Sequence, residues 1–548
     1  MTNNLKDLLG KLPLTVESYW ALRGRNKPWS AHYELESLKE VLPGAVEDVL
    51  KHQRKAEQPR KICVFATLHY WVEQGMLVAF GLAGYGQQVS FAWLPYAEWD
   101  REINNFDLRR QDLYTRHVLR PASKVMRIGS LLDPSLKTSS KPDLSPALKQ
   151  IVDQVSDYDT QYTLQIEETD LSSPLYLLRQ QRNAQAALAI HDWLQAEKPD
   201  LLVIPNGTIL EMGVAYQVAQ LLGIETVTFE FADQQERIWL AQNDEIMKHE
   251  TTDLWESLGK HPFPEKARQV MMDLFAARKN AHLWGNFARQ WQQNPVRGGA
   301  SVRANMNLDE RPLALLATNV LGDSLTLGRQ RITDTMAEMI VRTIGYFMQH
   351  PELQLVVRVH PGELKTHGTS MIDVIAQAYP QLPENIHIIR PEDKTNTYDL
   401  VEIADFGLVY TTTVGMEMAM SALPVIVTGK THYAGKGFTL DPQTWQEYEQ
   451  MLDRVSQDPA DNRLTEEQVE KAWLYAYLFF FEFSLPFPWH ILWLHNDFIN
   501  RPMSYVLSDE GLQKYGQTFA YLSGEPLNWT ERGLARLDTL NPQEDARP

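Results

Sequence analysis

The residues best suited to chemistry sit where apolar runs stop. In "VVRVHPGEL", residues 356–364, a strand-like run delivers Arg358, His360, Pro361 and Glu363 to one place. A protonated histidine there could offset charge on a departing phosphate. Alternation puts Arg358 on the same strand face as His360, and Pro361 stops the strand and fixes the turn that follows. Glu363 lies beyond the strand. "YTTTVGMEMAM", residues 410–420, sets Thr411, Thr412 and Thr413 before a short helical stretch. Threonine at that point can cap free backbone amides. Gly415 lets the main chain approach a ligand, and a hydroxyl-lined helix start suits an anion. Glu417, one turn in, could accept hydrogen bonds from ribose hydroxyls. "GKTHYAGKGFT", residues 429–439, offers Lys430, Tyr433 and Lys436 among three glycines, a loop whose lysines could reach a phosphate. "ATNVLGDS", residues 317–324, adds Thr318, Asn319 and Asp323. Each cluster alone has a bland reading: a structural histidine, an ordinary capped helix, a surface loop. Their weight comes from company.

The elements that must position them read as a parallel α/β series. Strands are expected at "LALLAT" (313–318), "LQLVVRV" (353–359), "NIHIIR" (385–390), "FGLVYT" (406–411) and "PVIVT" (424–428), with helical stretches between them. Continuous apolar strands suit a sheet covered on both faces, and in such sheets ligands bind outside the carboxyl ends of the strands. A similar series opens earlier, with "KICVFAT" (61–67), "QQVSFAWL" (87–94), "LLVIPNG" (201–207) and "IETVTFE" (224–230). Residues 100–170 give no clear assignment. The expected organisation is a helical appendage at 1–58, an α/β domain at 59–295, a polar linker, a second α/β domain at 311–445 and a helical region at 446–548.

Composition narrows the class. Seventy acids against 52 bases leave a net charge of −18, which argues against general nucleic-acid binding, because that rests on Lys and Arg. One cysteine, Cys63, allows no disulfide framework and no cysteine metal site. It sits within a strand and reads as a buried, inert thiol. The chain opens without a signal-peptide pattern, so a cytoplasmic location is the expectation. "WLYAYLFFFEFSLPFPWHILWL", residues 473–494, has bilayer-spanning length but holds Pro486 and Pro488. It reads as a helix, a proline turn and a second short helix packed in a core; if exposed, it would be a peripheral docking surface for membrane or partner. No P-loop, GxGxxG, HExxH or GxSxG pattern occurs, and no obligatory metal or cofactor is expected.

The order "RVHPGE", "YTTTVGMEMAM", "ALPVIVTGKTHYAGKGFT" resembles the C-terminal half of bacterial capsule polysaccharide biosynthesis proteins. These are glycosyltransferases of GT-B architecture and include Kdo transferases; bacterial sialyltransferases carry a similar HP pair. Ala422-Leu423 replaces the usual Gly-Lys/Arg before Pro424. The resemblance covers about 310–445 well and 60–235 loosely. It implies two Rossmann-like parallel-sheet domains facing a cleft. It also implies a nucleotide-sugar donor (CMP-, UDP- or GDP-linked) and a glycan or lipid-linked glycan acceptor. His360 would sit near the donor phosphate, with Thr411, Thr412, Thr413 and the Gly415 amide on its oxygens. Glu417 would take the ribose and Asn319 would line the cleft. The base should come from the first domain: Glu230, with Glu211 and Asp233 as alternates. A CDP-polyol-dependent polyol-phosphate transferase and a non-catalytic glycan-binding subunit are the competing readings.

Overall fold

Short runs of β-branched and aromatic residues build two sheets, and the strands fall close to where the apolar runs place them. The computed structural model describes residues 3–23, 33–132, 143–284, 287, 294–366 and 368–533. In chain order the strands are β1 (Lys61–Thr67), β2 (Gln88–Leu94), β3 (Arg127–Ser130), β4 (Leu201–Pro205), β5 (Glu225–Phe231) and β6 (Arg237–Gln242). They continue with β7 (Leu313–Ala317), β8 (Gln354–Arg358), β9 (Ile386–Ile389), β10 (Phe406–Val409), β11 (Val425–Val427) and β12 (Leu485–Pro486). One sheet has the order β12-β6-β5-β4-β1-β2-β3, the other β11-β10-β7-β8-β9. Strands β1 to β5 pair in parallel, and β6 and β12 add an antiparallel edge. The second sheet is parallel throughout. The fold is α/β with two Rossmann-like sheets.

Unit 1 comprises Met1–Thr160, Thr169–Met247 and Ser484–Leu527, and unit 2 comprises Gln161–Glu168, Lys248–Phe483 and Asn528–Pro548. These differ from the expected boundaries at 295 and 445. Residues 248–284 carry helices Thr252–Leu258 and Glu265–Lys279, which pack in unit 2. The chain then returns to unit 1 at Ser484, where β12 extends its sheet beside β6. Neither β6 nor β12 was expected from the sequence, because β12 has two residues and β6 carries polar ends. Residues 100–170, which resisted assignment, hold helices Asn105–Leu119 and Pro146–Leu164. The tail at 540–548 lies outside the described residues.

In unit 1 the helix His69–Gly84 is apolar all round and almost wholly buried, as expected of a helix with no solvent face. A side chain at Gly81 would meet the Phe519 ring at 2.1 Å, so glycine is what lets the helix Asp509–Leu522 dock there. Cys63, inside β1, is a buried free thiol whose pKa burial pushes up.

In unit 2 the aromatic stretch is core. Helix Glu466–Tyr477, begun by a capping box of Thr465 and Gln468, runs into a π-helical turn, Leu478–Phe483, buried at every residue. The single carboxylate of the stretch, Glu482, is fully buried. It accepts from the Tyr477 hydroxyl at 2.9 Å, and Arg532 lies 3.5 Å from its other oxygen. From 474 to 490 only Pro486 is more than slightly accessible, and Leu492 is the one exposed apolar side chain of 473–494. The segment therefore offers no membrane-docking surface. Among the described residues no helix is long and apolar enough to cross a membrane.

Candidate functional site

Both sheets share one strand order. Reading β3-β2-β1-β4-β5 and β9-β8-β7-β10-β11, the chain reverses direction between β1 and β4 in unit 1 and between β7 and β10 in unit 2. Such reversals open a crevice at the carboxyl ends of the strands. In unit 2 the three strand ends around that point are stitched together by side chains. Thr318, after β7, accepts a hydrogen bond on Oγ1 from the His360 backbone N–H at 3.0 Å. Its neighbour Asn319 accepts on Oδ1 from the Thr411 N–H at 3.3 Å. Thr318 and Asn319 thus tie the histidine of β8 and the threonines of β10 to the first strand.

His360 ends its strand as the cap of a short 3-10 turn, Pro361–Lys365. Its Nδ1 accepts from the Gly362 N–H at 2.9 Å. An acceptor Nδ1 on a neutral ring leaves the proton on Nε2, so the exposed side chain presents a donor. The protein mass around the ring lowers its pKa below the ordinary 6.5; Asp323 opposes the shift and Arg358 adds to it. In the free site this favours a neutral imidazole with an Nε2–H donor; the expected protonated His360 belongs to the phosphate-bound site. Gly362 is as much a part of this arrangement as the histidine. A Cβ there would lie 2.7 Å from His360 Nδ1 and 3.2 Å from Val320.

Arg358 and Glu363 serve the scaffold. Arg358 is buried and donates to the carbonyl of Arg390 at 2.7 Å and of Asp393 at 3.4 Å, holding the loop after β9. Burial lowers its pKa, with Asp393 opposing. Glu363 accepts from Ser370 Oγ at 2.8 Å and from the Met371 N–H, which starts helix Met371–Ala378.

The threonine turn differs from expectation in its details. Thr413 occupies the cap position of helix Val414–Met420 but makes no side-chain cap hydrogen bond. Among the described residues the N–H groups of Thr412, Thr413 and Val414 have no hydrogen-bond acceptor. Thr411 Oγ1 donates to the Leu325 carbonyl at 3.3 Å, and the Tyr433 hydroxyl donates to the Thr412 carbonyl at 2.6 Å. Gly415 makes room for that tyrosine rather than for a ligand: a Cβ would stand 2.4 Å from the Tyr433 hydroxyl. Glu417 is buried against Arg278, whose Nε lies 2.6 Å from Oε1. Tyr398 joins this pair, its hydroxyl pKa pushed up by burial and by Glu417. A carboxylate so engaged is a structural anchor, which corrects its expected role toward ribose.

The glycine loop places its lysines apart. Lys430 is exposed, with its N–H bonded to the Arg329 carbonyl at 2.8 Å. Lys436 is buried, 3.3 Å from Thr252 Oγ1, and burial lowers its pKa against the pull of Glu250 and Glu256. It faces the segment around Thr252, not the strand ends. His432, between them, stacks on Phe479 at 4.0 Å and lies 2.9 Å from the Tyr475 hydroxyl. Burial holds its pKa well below the ordinary 6.5, and the neighbouring His249 adds to the shift.

In unit 1 the carboxylates separate by environment. Glu230 lies within β5, one residue short of its end. Its Oε2 accepts from Asn206 Nδ2 at 3.2 Å and its Oε1 from the Phe231 N–H at 3.2 Å. Asn206, at φ +59°, also closes the turn after β4 by accepting from the Thr208 and Ile209 N–H groups, while the first N–H of the next helix, that of Leu210, donates to Asp159 at 2.5 Å. Glu211 is buried in an ion pair with Arg179 at 2.9 Å; Asp159 pairs with the same guanidinium at 2.9 Å. That leaves Glu211 committed to packing. Asp233 lies in the loop after β5, near His490, whose Nε2 is 3.1 Å from the Ala232 carbonyl.

Sequence reasoning missed Gly362, Arg278 and Tyr398. A carboxylate inside the apolar helix Val414–Met420 signals that a buried partner exists. Nothing local says that the partner stands 139 residues earlier.

The fold and site define an α/β protein with two Rossmann-like sheets and an imidazole donor at the second switch point. Residues 286–471 match the sequence model of the capsule polysaccharide biosynthesis protein family, the family that the motif order resembles. No curated protein sequence matches the chain. Among solved structures, the β-Kdo 2,4 transferase KpsC of Thermosulfurimonas dismutans is similar at 16% identity, covering 50% of this chain and 79% of that one with a TM-score of 0.32. The UDP-GlcNAc 2-epimerase of Neisseria meningitidis bound to UDP-GlcNAc is similar at 11% identity, covering 75% of this chain and 95% of that one with a TM-score of 0.25. Likenesses this distant carry no argument about activity.

Proposed function

We propose that the protein is a glycosyltransferase of capsule or surface polysaccharide synthesis, and that the switch point of unit 2 holds the phosphate of its nucleotide-sugar donor. The observation that carries this reading is the stitched set of strand ends, with a neutral His360 whose Nε2–H is free to donate to a phosphate oxygen. The N–H groups of Thr412, Thr413 and Val414 offer further donors to the same anion. A donor aimed at the leaving phosphate stabilises the charge that grows there as the glycosidic bond breaks. The match of residues 286–471 to the capsule family supports the reaction class. Glu230 is the carboxylate we assign as base for the acceptor hydroxyl, since Asn206 fixes its orientation while Glu211 is consumed by Arg179.

The test is calorimetry with CMP, UDP, GDP and CDP, followed by transfer assays with the sugars of whichever nucleotide binds. One nucleotide should bind, and His360→Ala should lower turnover about 10²–10⁴-fold. Glu230→Gln should abolish transfer while leaving nucleotide binding intact. Absence of any nucleotide binding would favour a non-catalytic glycan-binding subunit, and a phosphodiester in the product, seen by phosphorus NMR, would favour polyol-phosphate transfer.

A further inference from the structure

We infer that Gln161–Glu168 is a strap that positions the donor-site loops of unit 2, with Glu167 as its positioning residue; the inference rests on the nucleotide-binding reading of the switch point. The strap belongs to unit 2, while the chain up to Thr160 and from Thr169 to Met247 belongs to unit 1. It comprises the last turn of helix Pro146–Leu164 and the bend that follows. The Glu167 carboxylate accepts from the Met336 N–H at 2.6 Å and from the Ala337 N–H at 2.9 Å. Thr335 Oγ1 accepts from the next amide, that of Glu338, at 3.0 Å. The start of helix Met336–Gln349 is therefore satisfied jointly by the strap and by its own cap. A carboxylate suits that position, where the backbone dipoles leave partial positive charge, and charge-assisted bonds of this kind are the strong ones. Burial raises the Glu167 pKa, and the two amides oppose the shift.

The strap meets the segments from which the switch point is built. Residues 318–335 run from the end of β7 to helix Met336–Gln349 with no helix or strand of their own, and ordering so long a loop costs conformational entropy. The loop holds Thr318, Asn319 and Asp323 and crosses to the other strand ends. Its Leu325 carbonyl accepts from Thr411 Oγ1 at 3.3 Å, and its Arg329 carbonyl from the Lys430 N–H at 2.8 Å. Gly322 packs directly on the strap at φ +66°; a Cβ there would lie 2.2 Å from the Gln161 carbonyl oxygen. Gly368, in the segment that follows the turn of His360, packs on it as well; a Cβ there would lie 2.3 Å from the Leu164 carbonyl oxygen. Gln165, between these contacts, holds φ +55°, a left-handed conformation that side chains rarely adopt. Just past β10, Tyr410 precedes Thr411, and Glu167 adds to the burial that raises its hydroxyl pKa. One carboxylate and two close backbone approaches thus hold the loops that carry Asn319 and His360. Glu167 acts through those loops: a segment already ordered before its ligand arrives binds it more tightly.

The test is calorimetry on the full chain with whichever of CMP, UDP, GDP and CDP binds the wild type, together with backbone hydrogen exchange. Glu167→Ala should weaken nucleotide binding about tenfold. Glu167→Gln keeps an acceptor for one amide and should recover part of that loss. Exchange in 318–335 and 361–366 should quicken in Glu167→Ala while exchange in β1 to β5 stays as in the wild type, a pattern that general destabilisation would not give. Wild-type affinity in a folded Glu167→Ala overturns the inference and leaves the proposed function standing, and so does exchange that quickens equally throughout. Should Glu167→Ala fail to fold, Glu167→Gln decides: weakened binding supports the strap and wild-type affinity overturns it. No nucleotide binding by the wild type removes the proposed function and the inference together.

Discussion

The two sheets share a topology and differ in what stands at the point where strand order reverses. In unit 1 the fourth strand runs into Asn206, whose side chain is spent: its oxygen accepts from the Thr208 and Ile209 N–H groups of the turn and its nitrogen holds Glu230. In unit 2 the corresponding strand, β10, ends in three threonines before a helix with no side-chain cap. One end is closed by its own residues; the other leaves donors unsatisfied and is tied, through the adjacent Thr318 and Asn319, to the strand end that carries His360. The same frame can therefore hold a carboxylate in one copy and an anion in the other. Each unit also buries arginine against carboxylates, Arg179 with Asp159 and Glu211 in unit 1, Arg278 with Glu417 in unit 2.

The largest effect should come from breaking those buried pairs. Arg278→Ala and Arg179→Ala should each destabilise by about 3–5 kcal/mol, because each leaves a buried carboxylate uncompensated. Urea unfolding of both variants would check this. If Glu417 instead served a bound ribose, Arg278→Ala would spare stability and cost nucleotide affinity. Next is the acid response of His432. Its folded pKa is depressed, so below about pH 6.5 the unfolded chain takes up a proton that the folded chain refuses. Stability should fall with pH from there down to the folded pKa, by about 1.4 kcal/mol per pH unit. His432→Phe should remove that part of the slope in urea titrations between pH 7 and pH 5, values chosen as roughly bracketing the window.

The pH dependence of nucleotide binding should be smaller. A bound phosphate raises the depressed pKa of His360, so binding takes up a proton and affinity rises as pH falls below the pKa of the complex. Calorimetry in buffers of different ionisation enthalpy would measure the uptake, and His360→Gln should abolish it. Gly362→Ala should weaken nucleotide binding several-fold, roughly 1 kcal/mol, by pushing the imidazole off its Nδ1 contact, with little change in melting temperature. Smallest is the contrast between the two strand ends. Asn206→Ala should cost about 1 kcal/mol in stability, through the hydrogen bonds lost in the turn after β4. Thr413→Ala should stay within about 0.5 kcal/mol, because no cap bond exists there to lose.

Much of this frame was legible in the residues. The strands from β1 to β11 fall within a residue or two of the apolar runs, apart from β3 and β6, which carry charged ends and few β-branched residues. The aromatic stretch reads as a helix, a proline turn and a second short helix in a core; its first helix and its burial match, but Pro486 lies in β12 and the next helix starts only at Leu494. The site was legible as a set of strand ends but less so in its roles. His360, Thr411 and Asn319 do converge in unit 2. Glu417, Lys436 and Gly415 have other partners, each supplied by a residue distant in sequence or by the packing of Tyr433. No local pattern can reveal a partner that arrives by tertiary contact.

The sequence by itself determined the α/β class, the doubled series and the places where chemistry could occur, because apolar period and turn residues act over a few neighbouring positions. Tertiary structure decided which of those side chains remain available. Burial pairs Glu417 with Arg278, protein mass and the Gly362 amide leave His360 neutral with its donor outward, and folding hides the aromatic segment while leaving the leucines of the first two helices in water. Those outcomes depend on free energies of burial and pairing that exist only once distant segments meet.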